Sequence, residues 1–388
     1  MIKILEKHNC CGCGACAQIC PKQCVSIEAD NEGFLYSKVD ESKCIDCGLC
    51  EKTCPILNPS EVKPSLKQSF AFINCDETIR YNSSSGGAFS ALAGIILRRG
   101  GKVFGARYDS DFNVVHSFID KEEDLELFRG SKYTQSAINQ SFVECKSFLD
   151  SGVEVLFTGT PCQIGGLKAF LKKDYDNLIT IDLICHGVPS PLLWRKYVEY
   201  REKQGGAKVT RTSFRRKNDG WKKYSMWFAF ANHIEYCRDL SKDPYMQMFL
   251  KDICLRPSCY DCKFKTIDRE SDITMADFWG VQNEYPEIDD DKGVSFVVIH
   301  SEKGRGLFDS IGNSVKKSVP LVVGLKYNPS MVSSVVMPNE RGFFFKDLEK
   351  LSFEKMIKKY VAKPWYAQVY KLFRRCVRKV MRIVGVKK

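Results

Sequence analysis

Among its 388 residues the sequence has no apolar run of the length a membrane-spanning helix needs, although 44% are hydrophobic and 27% charged. A globular chain of two or three domains is therefore expected. No G-x-G-x-x-G occurs, and no glycine-rich loop ends in the Lys of a P-loop, so the usual fingerprints of dinucleotide and ATP binding are absent. Histidine is scarce: there are 5, and only His186 sits in a loop with other chemically notable residues. Acidic residues are missing from positions 355–388, where twelve Lys or Arg carry the whole net charge of +12. The preceding residues balance, with 47 basic and 47 acidic side chains, so no nucleic-acid footprint covers the body. The charged start shows no secretory signal, which leads to the expectation of a reducing cytoplasm.

Cysteine, by contrast, is abundant, at 19 residues. Cys10, Cys13, Cys16 and Cys20 precede Pro21, and Cys44, Cys47, Cys50 and Cys54 precede Pro55. This is C-x2-C-x2-C-x3-C-P twice, the run that holds paired [4Fe–4S] clusters in bacterial-type ferredoxins. Three thiolates on a glycine-loosened loop wrap three corners of a cubane, and the fourth cysteine reaches across to the other cluster. Cys10, Cys13, Cys16 and Cys54 are assigned to one cluster, and Cys44, Cys47, Cys50 and Cys20 to the second. Zinc would leave the third cysteine of each triplet and the prolines unexplained, and disulfides need an oxidising compartment. Cys11 and Cys24 fall outside the pattern and read as packing residues.

The expected fold is α+β and multidomain: a ferredoxin-like 2[4Fe–4S] module, an α/β core with a strand-rich second half, and a C-terminal amphipathic helix. The module takes residues 1–55, with a β-hairpin around Asn31, Glu32 and Gly33 that covers the clusters. Residues 56–69 read as a linker, 70–150 and 151–340 as two halves of the core, and 341–388 as a basic helical tail. Ser84, Ser85, Gly86 and Gly87 open an apolar helix, an arrangement that suits a phosphate but is more often an ordinary helix start. Arg129, Gly130, Ser131 and Lys132 form a polar loop with two cations. Strand-then-helix repetition from residue 153 argues an α/β layer with ligands at the strand ends.

Cys162 and Cys185 each follow a predicted strand, and Cys259 and Cys262 form a C-x2-C knuckle. Four cysteines from three loops make a third iron–sulfur or zinc site, against the alternative of two buried packing residues and a separate structural knuckle. Cys254 is a spare ligand; Cys75, Cys145, Cys237 and Cys376 read as packing residues. His186 would flank this site as an acid catalyst or a structural hydrogen-bonding residue. Asp277 reads as a turn-former or as a group facing a cofactor.

Taken in order, Ser84 through Gly87, residues 129–133, residues 159–163, residues 185–189, residues 256–264 and residues 271–280 resemble the coenzyme F420 hydrogenase/dehydrogenase beta-subunit family over roughly residues 70–300. The resemblance implies an FAD-binding core beside a [4Fe–4S] cluster. It makes Ser84, Ser85, Gly86, Gly87, Arg129, Ser131 and Lys132 the FAD contacts, and Cys162, Cys185, Cys259 and Cys262 the ligands of a third cluster. Ala276 departs from the family's Gly-Asp-Phe-Trp-Gly. Chemistry favours a flavin independently, because it converts one-electron carriers to two-electron exchange. The expected function is an iron–sulfur flavoprotein oxidoreductase serving a redox partner protein or a small-molecule acceptor. The alternatives are a non-catalytic electron-transfer subunit and a structural zinc module.

In the tail, Val369, Leu372, Phe373, Cys376, Val377, Val380, Met381 and Val384 recur at helical spacing, with Lys and Arg on the other face. This is the pattern of a helix lying on an anionic membrane, here the inner face; docking on the protein itself or a partner subunit is the alternative.

Overall fold

The computed structural model describes residues 1–4, 6–60 and 66–361. Its strands are β1 (Val25–Ala29), β2 (Leu35–Val39), β3 (Gln68–Asn74), β4 (Lys102–Tyr108), β5 (Val114–Ile119), β6 (Val155–Thr158) and β7 (Leu178–Leu183), followed by β8 (Val209–Arg216), β9 (Ser225–Phe230), β10 (Glu235–Asp239), β11 (Ile273–Asp277), β12 (Ser295–Ile299) and β13 (Ser314–Ser318). Eight form one mixed sheet in the order β13-β3-β12-β11-β7-β6-β4-β5, in which four successive strands, β11, β7, β6 and β4, run parallel.

Alternation along the central strands divides the core in two. Val103, Leu156 and Ile181 face one apolar layer, whereas Phe104, Phe157 and Leu178 face the other. Strands buried on both faces need helices on both sides. The helices Ala88–Arg98 and Glu302–Asp309 cover the first face, and Ser141–Asp150 and Pro161–Leu171 cover the second. A boundary near residue 150 therefore separates no bodies: β4 pairs with β6 across it, because the parallel strands need the intervening helix as their crossover. The strand-rich second half also splits. β8, β9 and β10 make a separate antiparallel sheet, while β11, β12 and β13 rejoin the large one.

The hairpin β1–β2 works on both faces. Leu35 and Ser37 line the cavity among Cys10, Cys13, Cys16 and Cys54, whereas Phe34 and Tyr36 point the other way, into the core built around Trp194, Tyr197 and Phe228. The module is thus packed into the body. Gly33 lets the turn close on Leu192, since a Cβ there would lie 2.4 Å from Leu192 Cβ. Arg341 donates to both oxygens of Glu32, at 3.1 and 2.6 Å, tying the helix Arg341–Lys350 to the hairpin. The helix Phe353–Tyr360 packs back on the body through Phe353, Met356 and Tyr360. The proposed amphipathic tail helix begins after it and lies outside the described residues.

Candidate iron–sulfur and cofactor sites

Gly14 and Gly48, both in the left-handed region at φ 73° and 71°, start the short helices Ala15–Gln18 and Leu49–Lys52. Each helix carries the third cysteine of its triplet. Cys10, Cys13, Cys16 and Cys54 line one cavity, with Ile2, Ile27 and Leu35. Cys20, Cys44, Cys47 and Cys50 line a second, with Val25 and Val39. These are the two crossed sets that the spacing predicts. Each set has one buried cysteine, Cys13 in the first and Cys50 in the second; Cys47 of the second set is the exposed member. A Cβ on Gly166 would meet Cys13 Cβ at 2.6 Å and Sγ at 2.9 Å, so the helix Pro161–Leu171 abuts the inner set directly. Burial pushes the Cys16 thiol up to about 12; deprotonating it needs a metal's charge. Cys24, read from sequence as packing, is buried yet lines the outer cavity, its Sγ 3.3 Å from that of Cys20.

A third cavity is lined by Cys162, Cys185, Cys259 and Cys262. Cys162 stands in the first turn of the helix after β6, a turn fixed by a capping box between Thr160 and Gln163 and by Pro161. Cys185 follows β7, the parallel neighbour of β6, so both arrive at the same sheet edge. The knuckle is brought over them by an antiparallel bridge between Pro189 and Leu255, and by Arg256 N donating to Val188 O at 3.0 Å. Contact with Cys11, and then burial, raises the Cys162 thiol; burial first and neighbouring cysteines second raise those of Cys185, Cys259 and Cys262. Lys265 and Arg269 line the cavity as cations, so its charge suits an anionic group. Among the described residues no three His, Cys, Asp or Glu are spaced for a single metal ion. Cys11 lines this cavity as well as the inner dicluster cavity, a bridging place that spacing did not reveal. Cys254 and Cys145 are fully buried in apolar core; Cys376 lies outside the described residues.

His186 lines the third cavity and is fixed there. Its Nε2 is 2.5 Å from Asp252 Oδ1, its Nδ1 3.4 Å from Ser330 Oγ, and its carbonyl accepts from Lys265 at 3.1 Å. Asp277 ends β11 with both oxygens engaged: Arg215 donates to them at 2.9 and 3.0 Å, and Trp221 Nε1 to one at 2.9 Å. That geometry gives Asp277 a positioning task. Arg215, buried and missed in the sequence, also reaches Tyr133 Oη at 2.9 Å and Ser84 O at 3.4 Å. The signal available was a charged triplet, Arg215, Arg216 and Lys217, ending a strand.

The two polar loops meet. Ser131 N and Oγ both reach Ser84 Oγ, at 2.7 and 3.0 Å. Gly86 is required by packing, because a Cβ would lie 2.3 Å from Phe72 O and 2.6 Å from Ser295 N. Gly87, at φ 86°, begins the helix Ala88–Arg98, and Ser85 Oγ donates to Val294 O at 2.7 Å. Arg129 donates to Ser90 Oγ at 3.0 Å. Lys132 is held by the carbonyls of Phe128, Arg129 and Gly130, and desolvation brings it down to about 7.

Two thiol quartets in a crossed arrangement, one exposed and one abutting the α/β body, define an iron–sulfur electron-transfer protein. Residues 9–57 match the 4Fe-4S dicluster domain, and residues 152–319 match the family described as the C terminus of the coenzyme F420 hydrogenase/dehydrogenase beta subunit. The second match begins after the loops at residues 84–87 and 129–132, so it does not reach the residues expected to contact FAD. No curated protein matches the chain. Among solved structures, a chain from the F420-reducing [NiFe] hydrogenase complex of Methanosarcina barkeri, in a xenon derivatization study, is 18% identical, with 77% of this chain and 92% of that chain covered and a TM-score of 0.44. Among the described residues no helix is long and apolar enough to cross a membrane.

Proposed function

We propose that the chain is an iron–sulfur flavoprotein oxidoreductase, in which a third [4Fe–4S] cluster is held by Cys162, Cys185, Cys259 and Cys262 and FAD by the joined loops at residues 84–87 and 129–132. The observation that carries this reading is the convergence of the four cysteines in a cavity sharing Cys11 with the inner dicluster cavity. When bound, the clusters supply one-electron steps and the flavin supplies conversion to a two-electron exchange. The exposed Cys47 side gives an external redox protein access to the outer quartet. Lys265 lines the third cavity with positive charge, beside Arg269, which pairs with Asp182.

For the flavin, the fit rests on Lys132. Its described partners are three main-chain carbonyls and the Tyr108 ring, 5.5 Å away, none of them an acid, and its desolvation is what a phosphate would relieve. Ser84 and Ser131 offer hydroxyls beside it. Lys132→Met should then weaken flavin retention by about tenfold or more, the worth of a charge-assisted hydrogen bond; equal retention in dialysis of the two proteins would contradict this assignment. The overall test is anaerobic stoichiometry. About twelve iron and one flavin per chain are expected, since each of three cubanes carries four iron atoms. The family description names a beta subunit, which favours as second reading a subunit that needs a partner to do chemistry. Turnover of a two-electron acceptor by the isolated chain separates the two, being required by the first and absent in the second.

A further inference from the structure

Arg256 occupies the wall between the inner dicluster cavity and the third cavity. It is fully buried. Its Nε donates to Cys10 O at 2.9 Å and its Nη1 to Leu35 O at 3.0 Å, with Gln135 Oε1 at 3.3 Å. The guanidinium lies 4.0 Å from the centre of the Tyr36 ring. The loop of the first triplet presses onto it: a Cβ on Gly12 would fall 2.9 Å from Arg256 Cζ. Nη2 is buried with no hydrogen-bond partner.

Among the described residues four other buried arginines are neutralised by acids, while Arg201, the remaining one, lies against the rings of Tyr197, Tyr200 and Tyr236 far from the cysteine loops. Arg80, Arg215, Arg269 and Arg341 each lie within 4.0 Å of a carboxylate, namely Asp290, Asp277, Asp182 and Glu32. No such pair exists for Arg256 among the described residues. Burying an unpaired cation is expensive unless something anionic stands beside it. What stands beside it is the inner quartet: Arg256 donates to the carbonyl of Cys10, and Gly12 of the same loop presses on its guanidinium.

The outer quartet is served differently. Of the cations lining its cavity, the Met1 ammonium is taken up by Asp46 at 2.7 Å and Glu51 at 3.6 Å and Lys22 is exposed, and Cys47 is open to solvent. Burial alone would make the inner cluster the harder to reduce, because an added negative charge is poorly solvated there. We propose that the uncompensated guanidinium of Arg256 raises the reduction potential of the cluster bound by Cys10, Cys13, Cys16 and Cys54, and so draws the electron from the exposed cluster inward. The step is one electron gained, with no bond broken and no proton moved. Arg256 acts as a positioning residue for charge. The proposal needs only the two clusters of the dicluster domain and no flavin, although Arg256 also lies near Cys162 and Cys259 of the third cavity.

The test is a redox titration of the anaerobic full-length protein with dithionite, followed by electron paramagnetic resonance. The outer cluster is identified by its altered signal in Cys47→Ser. In Arg256→Gln the inner midpoint should fall by at least about 59 mV, a tenfold change in electron partition for a one-electron couple, while the outer midpoint holds. Arg256→Lys keeps the charge without the fork of donors and should retain most of the wild-type midpoint. Equal midpoints in wild type and Arg256→Gln would overturn the proposal, as would equal falls in the Gln and Lys variants. An Arg256→Gln protein unable to hold its inner cluster would overturn it too, because the residue would then be a structural brace.

Discussion

At the scale of single residues, burial decides what charge a side chain carries. His116 on β5 is buried, stacks on Phe157, donates from Nε2 to Thr158 O at 3.1 Å and leaves Nδ1 without a partner. Desolvation holds it down to about 4, with the carbonyl opposing. Its folded-state value is below its unfolded one, so between about 6.5 and 4 the unfolded chain takes up the proton and the folded chain does not. Stability therefore falls as pH drops through that window. Urea midpoints at pH 7 and pH 5 should converge in His116→Asn relative to wild type; His300, lowered to about 4 by the same cause, leaves a residual slope. An unchanged pH dependence would contradict the buried neutral form. Lys132 and Arg256 follow the same logic, as cations whose partners are not acids of the chain.

At the scale of elements, the contact between the helix Pro161–Leu171 and the first cluster loop sets the closest approach of module to body. Gly166→Ala places a methyl where Cys13 stands, and both neighbours are main-chain anchored. The expected result is a disturbed inner-cluster resonance with the outer one kept; an unaltered spectrum would mean that the helix yields. Phe34 anchors the hairpin from the opposite side, and Phe34→Ala should cost about 3–5 kcal/mol in denaturant unfolding, where a loss below about 1 kcal/mol would mean the module is only loosely seated. Much of this level was legible. The C-x2-C-x2-C-x3-C-P spacing led to the expectation of two crossed quartets, whose members line two cavities, and Cys162 and Cys185 were expected after strands that end at one edge. Period-two alternation at the hairpin was read, but as a cover for the clusters alone. The second face, Phe34 and Tyr36, could not be assigned to the body because its partners Trp194 and Phe228 are distant in sequence. Arg215 and Arg256 stayed hidden for the same reason: a buried arginine reads as a surface one until its surroundings are known.

At the scale of the whole molecule, three cysteine-lined cavities follow one another from an exposed quartet to a sheet edge, with Cys11 shared between the second and third. The line continues to the carboxyl ends of parallel strands, where open α/β sheets place their ligands. The whole account rests on the third cavity holding inorganic iron and sulfide. Iron per chain, measured in anaerobically prepared wild type and in the double variant Cys162→Ser with Cys259→Ser, tests this most directly. The account predicts about twelve iron atoms falling to about eight, at four iron atoms per cubane, with the dicluster resonances intact; about eight in both proteins would contradict it.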